Sequence, residues 1–258
     1  MKSIRILLIA IFFIFVIKIE AQVKQKTSKI PQAKITNTNN LQIKKIDSVI
    51  DTRNGISYKT VIIGTQTWMA ENLNTKMYQN GDTISFIQNN NEWSNLTYGG
   101  YCNYHNDTNN AITYGRLYNW YAIVDKRNIC PIGWHVPTDS EWNKLIIYLG
   151  GYKIAGNKLK EKGTLNWGNQ NKLANNFSGF TALPGGHIYP NGIVYLPDGT
   201  SDTYNGDFDG IGNDGCWWSS TEIQGECAIS YNLNHYDSGV IKEMPSKKFG
   251  LSIRCIKD

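Results

Sequence analysis

The segment Cys130–Gly151, CPIGWHVPTDSEWNKLIIYLGG, constrains the fold more than any other stretch of the chain. Thr138 and Glu141 have the T-x-x-E spacing of a capping box. In that motif the hydroxyl accepts from one free amide of the first turn and the carboxylate reaches back to another. The spacing predicts a helix that starts after Thr138. Trp142, Leu145, Ile146 and Leu149 then recur at i, i+3, i+4 and i+7, one apolar face of a 3.6-residue period. Gly150 and Gly151 supply the positive-φ stop. So broad an apolar face needs a large surface to pack on.

The chain opens with the pattern of a secretion signal. Lys2 and Arg5 precede twelve mostly aliphatic or Phe residues, Ile6–Ile17, and Ala21 follows as a small residue suited to cleavage. Twelve falls short of the ~20 residues a spanning helix needs, so no membrane span is expected after cleavage of residues 1–21. No Cys stands at the cleavage point to take a lipid, and a secreted or extracytoplasmic chain is expected. Residues 22–46 are Lys, Thr, Asn and Gln with scattered single aliphatics, too polar and aperiodic to bury a core, and are expected to form a flexible basic tether. The formal charge of +5 comes from these two segments. Three basic residues and one acidic residue lie in 1–21 and six lysines (24, 26, 29, 34, 44 and 45) in 22–46, which leaves −3 over 47–258. The overall basicity is therefore no argument for nucleic-acid binding by the folded part.

Residues 47–258 have the size of one domain with a sizeable core. Eight Trp, fifteen Tyr and 24 Gly describe a loop-rich α+β domain whose rings fill its layers, not a helical one. Tyr58–Met69 has two β-rich runs around Gly64-Thr65, the pattern of a tight hairpin. Tyr78–Asn110 is polar and expected to be mostly loop. Leu117, Trp120, Tyr121 and Val124 repeat the helical spacing and predict a first main helix; the capped helix is the second. Ile154–Glu161 suits a short helical turn, and Phe177–Gly186 an extended segment ending in a turn. Asn191–Gly215, rich in Asp, Gly and Asn, is expected to be a long loop outside the core. Alternating runs at 228–233, 240–243 and 251–256 predict antiparallel closing strands, with Leu251, Ile253 and Cys255 on one face.

Five cysteines in an exported chain point to disulfides with one thiol left over. Two bonds among five cysteines allow fifteen arrangements, so the pattern stays open. The first expectation is Cys130 with Cys255, tying the start of the helical region to the last strand. The second is Cys216 with Cys227.

GWHVPTDSEW, TALPGG, WWSSTE and FGLSIRCIKD occur in this order, preceded by YKTVIIGTQTWMAENLN and YGRLYNWYAI. On these motifs the chain resembles the Fibrobacter succinogenes major paralogous domain family of secreted bacterial proteins, from about Tyr58 to the C-terminus. The resemblance implies a C-type-lectin-like fold, with mixed, mostly antiparallel sheets, two main helices and long loops. That fold also houses the formylglycine-generating enzymes. P-T-D-S-E-W at 137–142 is similar to their helix-start motif and G-x-x-x-R at 250–254 to their closing strand. The chain departs from its relatives in the longer, more acidic 191–215 segment and in Cys216 and Cys227, where any private function is expected.

The residues themselves raise several chemistries. Gly210, Gly212 and Gly215 spell G-x-G-x-x-G, but no apolar strand precedes the motif, no helix follows it, and Asp207, Asp209 and Asp214 repel a pyrophosphate. Asp207, Asp209, Asn213 and Asp214 offer hard oxygen ligands for calcium, although turns use the same residues and the lectin pairs E-P-N and W-N-D are absent. Thiol or copper oxidation at Cys216 and Cys227, as in the formylglycine-generating enzymes, is the catalytic alternative, against a ten-residue separation that does not match their motif. His105, His135, His187 and His235 are scattered without zinc-site spacing and read as surface or core residues. There is no G-x-S-x-G elbow and no P-loop. Trp120, Trp134, Trp142 and Trp218 sit in the shared motifs and are expected in the core. Tyr189, Tyr195 and Tyr204 accompany the unusual segment and are the expected ligand contacts, since such rings offer flat apolar faces to sugars and a hydroxyl tip. The favoured expectation is a secreted or cell-surface, non-catalytic module that binds a glycan or a surface protein through residues 187–215. A structural role in a cell-surface layer is the third possibility.

Overall fold

The computed structural model describes residues 44–258 except 170, 196–198 and 224. The signal at 1–21 and the tether as far as residue 43 lie outside the described residues. The first strand, Lys44–Ile50, starts inside the stretch expected to be tether.

The architecture is α+β, with mostly antiparallel sheets and short helices. One five-stranded sheet runs Lys44–Ile50, Ser57–Ile63, Gln66–Met69, Ile256–Lys257 and Trp134–His135, so the last strand sits between the opening hairpin and the strand before the capped helix. The hairpin forms around Gly64, whose φ of 63° suits glycine, and pairs Ile63 with Gln66 and Thr60 with Met69. The second five-stranded sheet runs Phe208–Ile211, Gly185–Ile188, Asp214–Glu222, Ala228–Asn234 and Ile241–Glu243. Among its described strand pairs, that of Gly186 with Gly215 is parallel and the others are antiparallel. Two smaller sheets complete the described strands, Ser85–Phe86 with Gly100–Cys102 and Leu117–Tyr118, and the hairpin Asn191–Tyr195 with Ser201–Asn205.

The capped helix spans Asp139–Tyr148, and both halves of its capping box are made. Thr138 Oγ1 accepts from the Glu141 amide at 3.3 Å, and Glu141 Oε2 accepts from the Thr138 amide at 2.8 Å. Gly150 and Gly151, with φ of 104° and 96°, end it. Its apolar face joins the two large sheets. Trp142 packs on Trp68 of the first at 5.0 Å between ring centroids and stacks on Tyr231 of the second at 4.9 Å. A ring so placed holds both layers, and truncating it is worth roughly 3–5 kcal/mol. Trp120, Trp134, Trp142 and Trp218 are all buried.

Two devices fasten the closing segment. Cys130 and Cys255 form a disulfide with a Cα–Cα distance of 6.0 Å, the first of the two expected bonds. Arg254 is fully buried. Asn72 Oδ1 accepts from its Nε at 3.1 Å and its Nη2 at 2.6 Å, the Phe180 carbonyl accepts from Nη1, and the guanidinium lies 4.1 Å from the Phe180 ring centroid. Burial pushes its pKa down to about 9.

The structure differs from the sequence expectations in three segments. The loop expected over Tyr78–Asn110 is interrupted by the helix Asn90–Ser94 and the strands Ser85–Phe86 and Gly100–Cys102, and the helix Thr108–Tyr114 begins within it. Asn89 and Asp107 cap these helices through side-chain oxygens, so residues that look like turn formers act as helix starts. The helix predicted over 117–124 shrinks to Trp120–Ile123, since Leu117–Tyr118 is taken by a sheet. The expected loop 191–215 is largely strand. Its hairpin pairs Tyr195 with Ser201 through Asn191 with Asn205, and Phe208–Ile211 joins the second sheet.

Candidate functional site

The second sheet presents different chemistry on its two faces. Along Ala228–Asn234, alternate residues point to opposite sides. Ile229, Tyr231 and Leu233 pack in the helix-side core, while Ser230 and Asn232 line a cavity of about 410 Å³. The register brings further side chains to that cavity: Cys216 lies opposite Asn232, Glu243 opposite Ser230, and Asp209 opposite His187. Asp214 completes the polar floor.

The opposite wall is aromatic. Tyr189 and Tyr204 stack with centroids 4.6 Å apart and planes 12° from parallel. Phe249 meets each edge-on at 5.3 Å, and His187 meets Tyr189 edge-on at 4.6 Å. Each ring is placed by its backbone. Tyr204 and Asp202 share one parity of the strand Ser201–Asn205, so both reach the cavity, and the Tyr204 hydroxyl donates to Asp202 Oδ2 at 3.2 Å. Phe249 is held where Gly250 bridges to Ile188. A Cβ on Gly250 would lie 2.4 Å from Ile188 Cγ2 and 2.7 Å from the Trp93 ring, so only glycine allows this approach. Gly210, with φ of 81°, similarly leaves room for Asp214, whose Oδ2 would lie 2.9 Å from a Cβ there.

The electrostatics follow from enclosure. Burial raises the Asp214 carboxyl; His235 opposes the shift and the Asp209 carboxylate adds to it. Burial raises Glu243 as well; a hydrogen bond from Asn232 opposes this and Asp214 reinforces it. Burial lowers His187 and so keeps its imidazole neutral, Asp209 opposing. Tyr189 is pushed up to about 12 and Cys216 well above the ordinary thiol value, again by burial first and neighbouring negative charge second. The Cys216 thiol, 3.7 Å from His187 Nδ1, is thus held protonated and poorly nucleophilic.

The structure treats the sequence candidates unequally. Tyr189 and Tyr204 come together in the cavity wall; the Tyr195 side chain lies outside the described residues. The four proposed calcium ligands are not gathered. Asp209 and Asp214 line the cavity, Asp207 is exposed and accepts from Asn205, and Asn213 Oδ1 faces Gly168. Among the described residues no group of three or more His, Cys, Asp or Glu is placed to hold a metal ion. The Cys216–Cys227 disulfide is not formed, and Cys216 is a free, buried thiol. Its partner across the strands is Asn232, five residues along from Cys227 and so about 17 Å away at ~3.4 Å per residue. Gly210 and Gly212 turn a strand rather than open a helix, in keeping with rejection of the dinucleotide motif.

Ser230, Asn232, Glu243 and Phe249 lie outside every segment expected to bind, while His187 and Asp202 fall within the expected 187–215 segment without being singled out there. One signal was present: Ser230 and Asn232 alternate with Ile229, Tyr231 and Leu233 in a strand buried along most of its length. The other residues depend on register and hairpin geometry. A second hollow of about 480 Å³ lies near Tyr58, Asn72, Ile112 and Thr181. It is larger, but its charged residues Lys59 and Glu71 pair with each other at 3.7 Å and are exposed.

Two large sheets bridged by a capped helix, closed by the last strand and carrying a polar and aromatic cavity on one sheet face, define the class as an α+β domain of mostly antiparallel strands. The model of the Fibrobacter succinogenes major domain matches residues 61–257, and the chain belongs to that family. No curated protein and no solved structure matches it. Among the described residues no helix is long and apolar enough to cross a membrane.

Proposed function

We propose that the protein is a non-catalytic binding module that works outside the cytoplasm and takes a glycan in the cavity between Tyr204 and Glu243. The observation that carries this reading is the wall formed by Tyr189, Tyr204 and Phe249 opposite a floor of carboxylates and an amide. Sugar rings stack on aromatic faces through their C–H surfaces and present hydroxyls to carboxylates and amides. The neutral, enclosed Cys216 thiol supports binding over thiol or copper oxidation. Export is supported by the apolar run Ile6–Ile17 before Ala21 and by the Cys130–Cys255 disulfide, a bond typical of oxidising compartments.

We also assign the scaffold to the C-type-lectin-like class. What supports this is the meeting of the opening hairpin with the closing strand, Trp68 opposite Ile256, beside a capped helix that covers both large sheets. A glycan array probed with the wild-type and Tyr204→Ala proteins tests the function. The expected outcome is a small set of bound glycans lost on substitution. An array with no bound glycan, or one unchanged by Tyr204→Ala, rejects the assignment.

A further inference from the structure

The cavity is unbalanced in both charge and hydrogen bonding. Asp202, Asp209, Asp214 and Glu243 line it, and its lining contains no Lys or Arg. Among the described residues none of these four carboxylates takes part in an ion pair. The histidine on the floor, His187, is too enclosed to serve as a resident cation. The unmet hydrogen bonding has the same sense. Asn232 directs its amide N–H toward Glu243, while its Oδ1 is buried without a partner. Beside it Ser230 is almost completely buried and lines the same space. A buried acceptor without a donor is costly and calls for a donor from outside the chain. Four carboxylates gathered around one cavity, with no ion-pair partner of their own, favour a positive group there.

An alkylammonium answers both needs, because it carries a full positive charge and three N–H donors and accepts nothing. The aromatic wall suits the same group, since the faces of tyrosine and phenylalanine rings attract cations. A hydroxyl in that position would bring an acceptor as well as a donor into a space already crowded with acceptors. An acetamide would bring a bulky neutral group with one donor.

We propose that the ligand enters this cavity with a protonated amine, so that the glycan recognised is an amino sugar with its nitrogen free rather than acetylated. This rests on the glycan reading above and names the sugar class. The amine sits over the floor between Asp209, Asp214 and Glu243, within reach of Asn232 Oδ1, and the pyranose ring lies along the tyrosine pair.

Calorimetric titration of the purified protein with the β-1,4-linked glucosamine trimer, its fully N-acetylated counterpart, cellotriose and cadaverine separates the possibilities. At pH 6.5 and low salt the glucosamine trimer is expected to bind at least tenfold more tightly than the acetylated trimer or cellotriose. Glu243→Gln and Asp209→Asn, both isosteric and both at partly solvent-facing positions, are each expected to weaken it several-fold while leaving the melting temperature near or above that of the wild type. Equal or tighter binding of the acetylated trimer or of cellotriose overturns the amine and leaves the glycan reading in place. Binding of cadaverine as tightly as the glucosamine trimer upholds the amine and overturns the sugar. Absence of heat with all four overturns both.

Discussion

Removing the Cys130–Cys255 bond is expected to remove a large share of the stability of this domain. The bond closes a loop spanning 125 residues of sequence. In the chain-entropy account, a loop of that length restricts the unfolded ensemble by about 5 kcal/mol at 25 °C. A domain of this size is stable by about 5–15 kcal/mol in total, so the effect is of the same order as the whole. Both sulfurs belong to residues with no solvent exposure, so a reductant acts on the native protein slowly and the test is better made by substitution. The double variant Cys130→Ala/Cys255→Ala, compared with the oxidised wild type by equilibrium urea unfolding, is expected to lose about 4–6 kcal/mol. Its m-value is expected to rise, because an unfolded chain without the crosslink exposes more surface. A loss under about 1 kcal/mol with an unchanged m-value would show that the closing strand is held by its packing alone and refute the reasoning.

Two further outcomes follow from buried polar groups. Asn72→Ala removes the oxygen that accepts from Arg254 Nε and Nη2 and, at 2.8 Å, from Trp217 Nε1. It is expected to lower stability by about 3–5 kcal/mol in urea unfolding, since a buried guanidinium is left short of partners; a loss below about 1 kcal/mol refutes that role. Asp214→Asn is expected to raise the melting temperature at pH 7. Burial lifts the carboxyl above its unfolded value, and Asp209, Glu243, Cys216 and His235 surround it. The folded state therefore binds that proton more tightly than the unfolded chain does. The resulting stability is present below the unfolded carboxylate pKa and lost as pH rises through the elevated one. The gain from the amide should fade as the pH falls toward about 4, and a wild type that is the more stable protein at pH 7 contradicts it.

Features set by neighbouring residues are legible in the sequence. The capping box at Thr138 and Glu141, the glycine stop at 150–151 and the hairpin around Gly64 depend on local spacing, and the structure forms all three. The pairing of Cys130 with Cys255 is one choice among many, and it follows if the last strand returns to the helical region. Local spacing misleads where tertiary demands prevail. Leu117 has helical periodicity with Trp120, Tyr121 and Val124, but its neighbour Tyr118 bridges to Leu251 and the Tyr118 hydroxyl donates to the Thr75 carbonyl at 2.7 Å, which draws this pair into a sheet. The polarity of 191–215 suggests loop, whereas Asp202, Tyr204 and Asp209 are strand residues with a cavity on one side. Arg254 gives no sign of being buried, because its partners Asn72 and Phe180 lie 182 and 74 residues away in sequence. Part of the cavity is visible as two tyrosines, two aspartates and Cys216. The rest, from His187 to Phe249, is assembled by strand register, which a linear pattern does not contain.

The cavity between the tyrosine pair and the floor strand Ala228–Asn234 is the proposed meeting place of this protein and its ligand. Backbone amide NMR spectra of the labelled protein, recorded as the glucosamine trimer is added, test it most directly. Saturable shifts centred on Tyr189, Tyr204, Asn232, Glu243 and Phe249 are expected. Shifts centred instead on the second hollow around Tyr58, Ile112 and Thr181, or spectra that do not change at all, would contradict it.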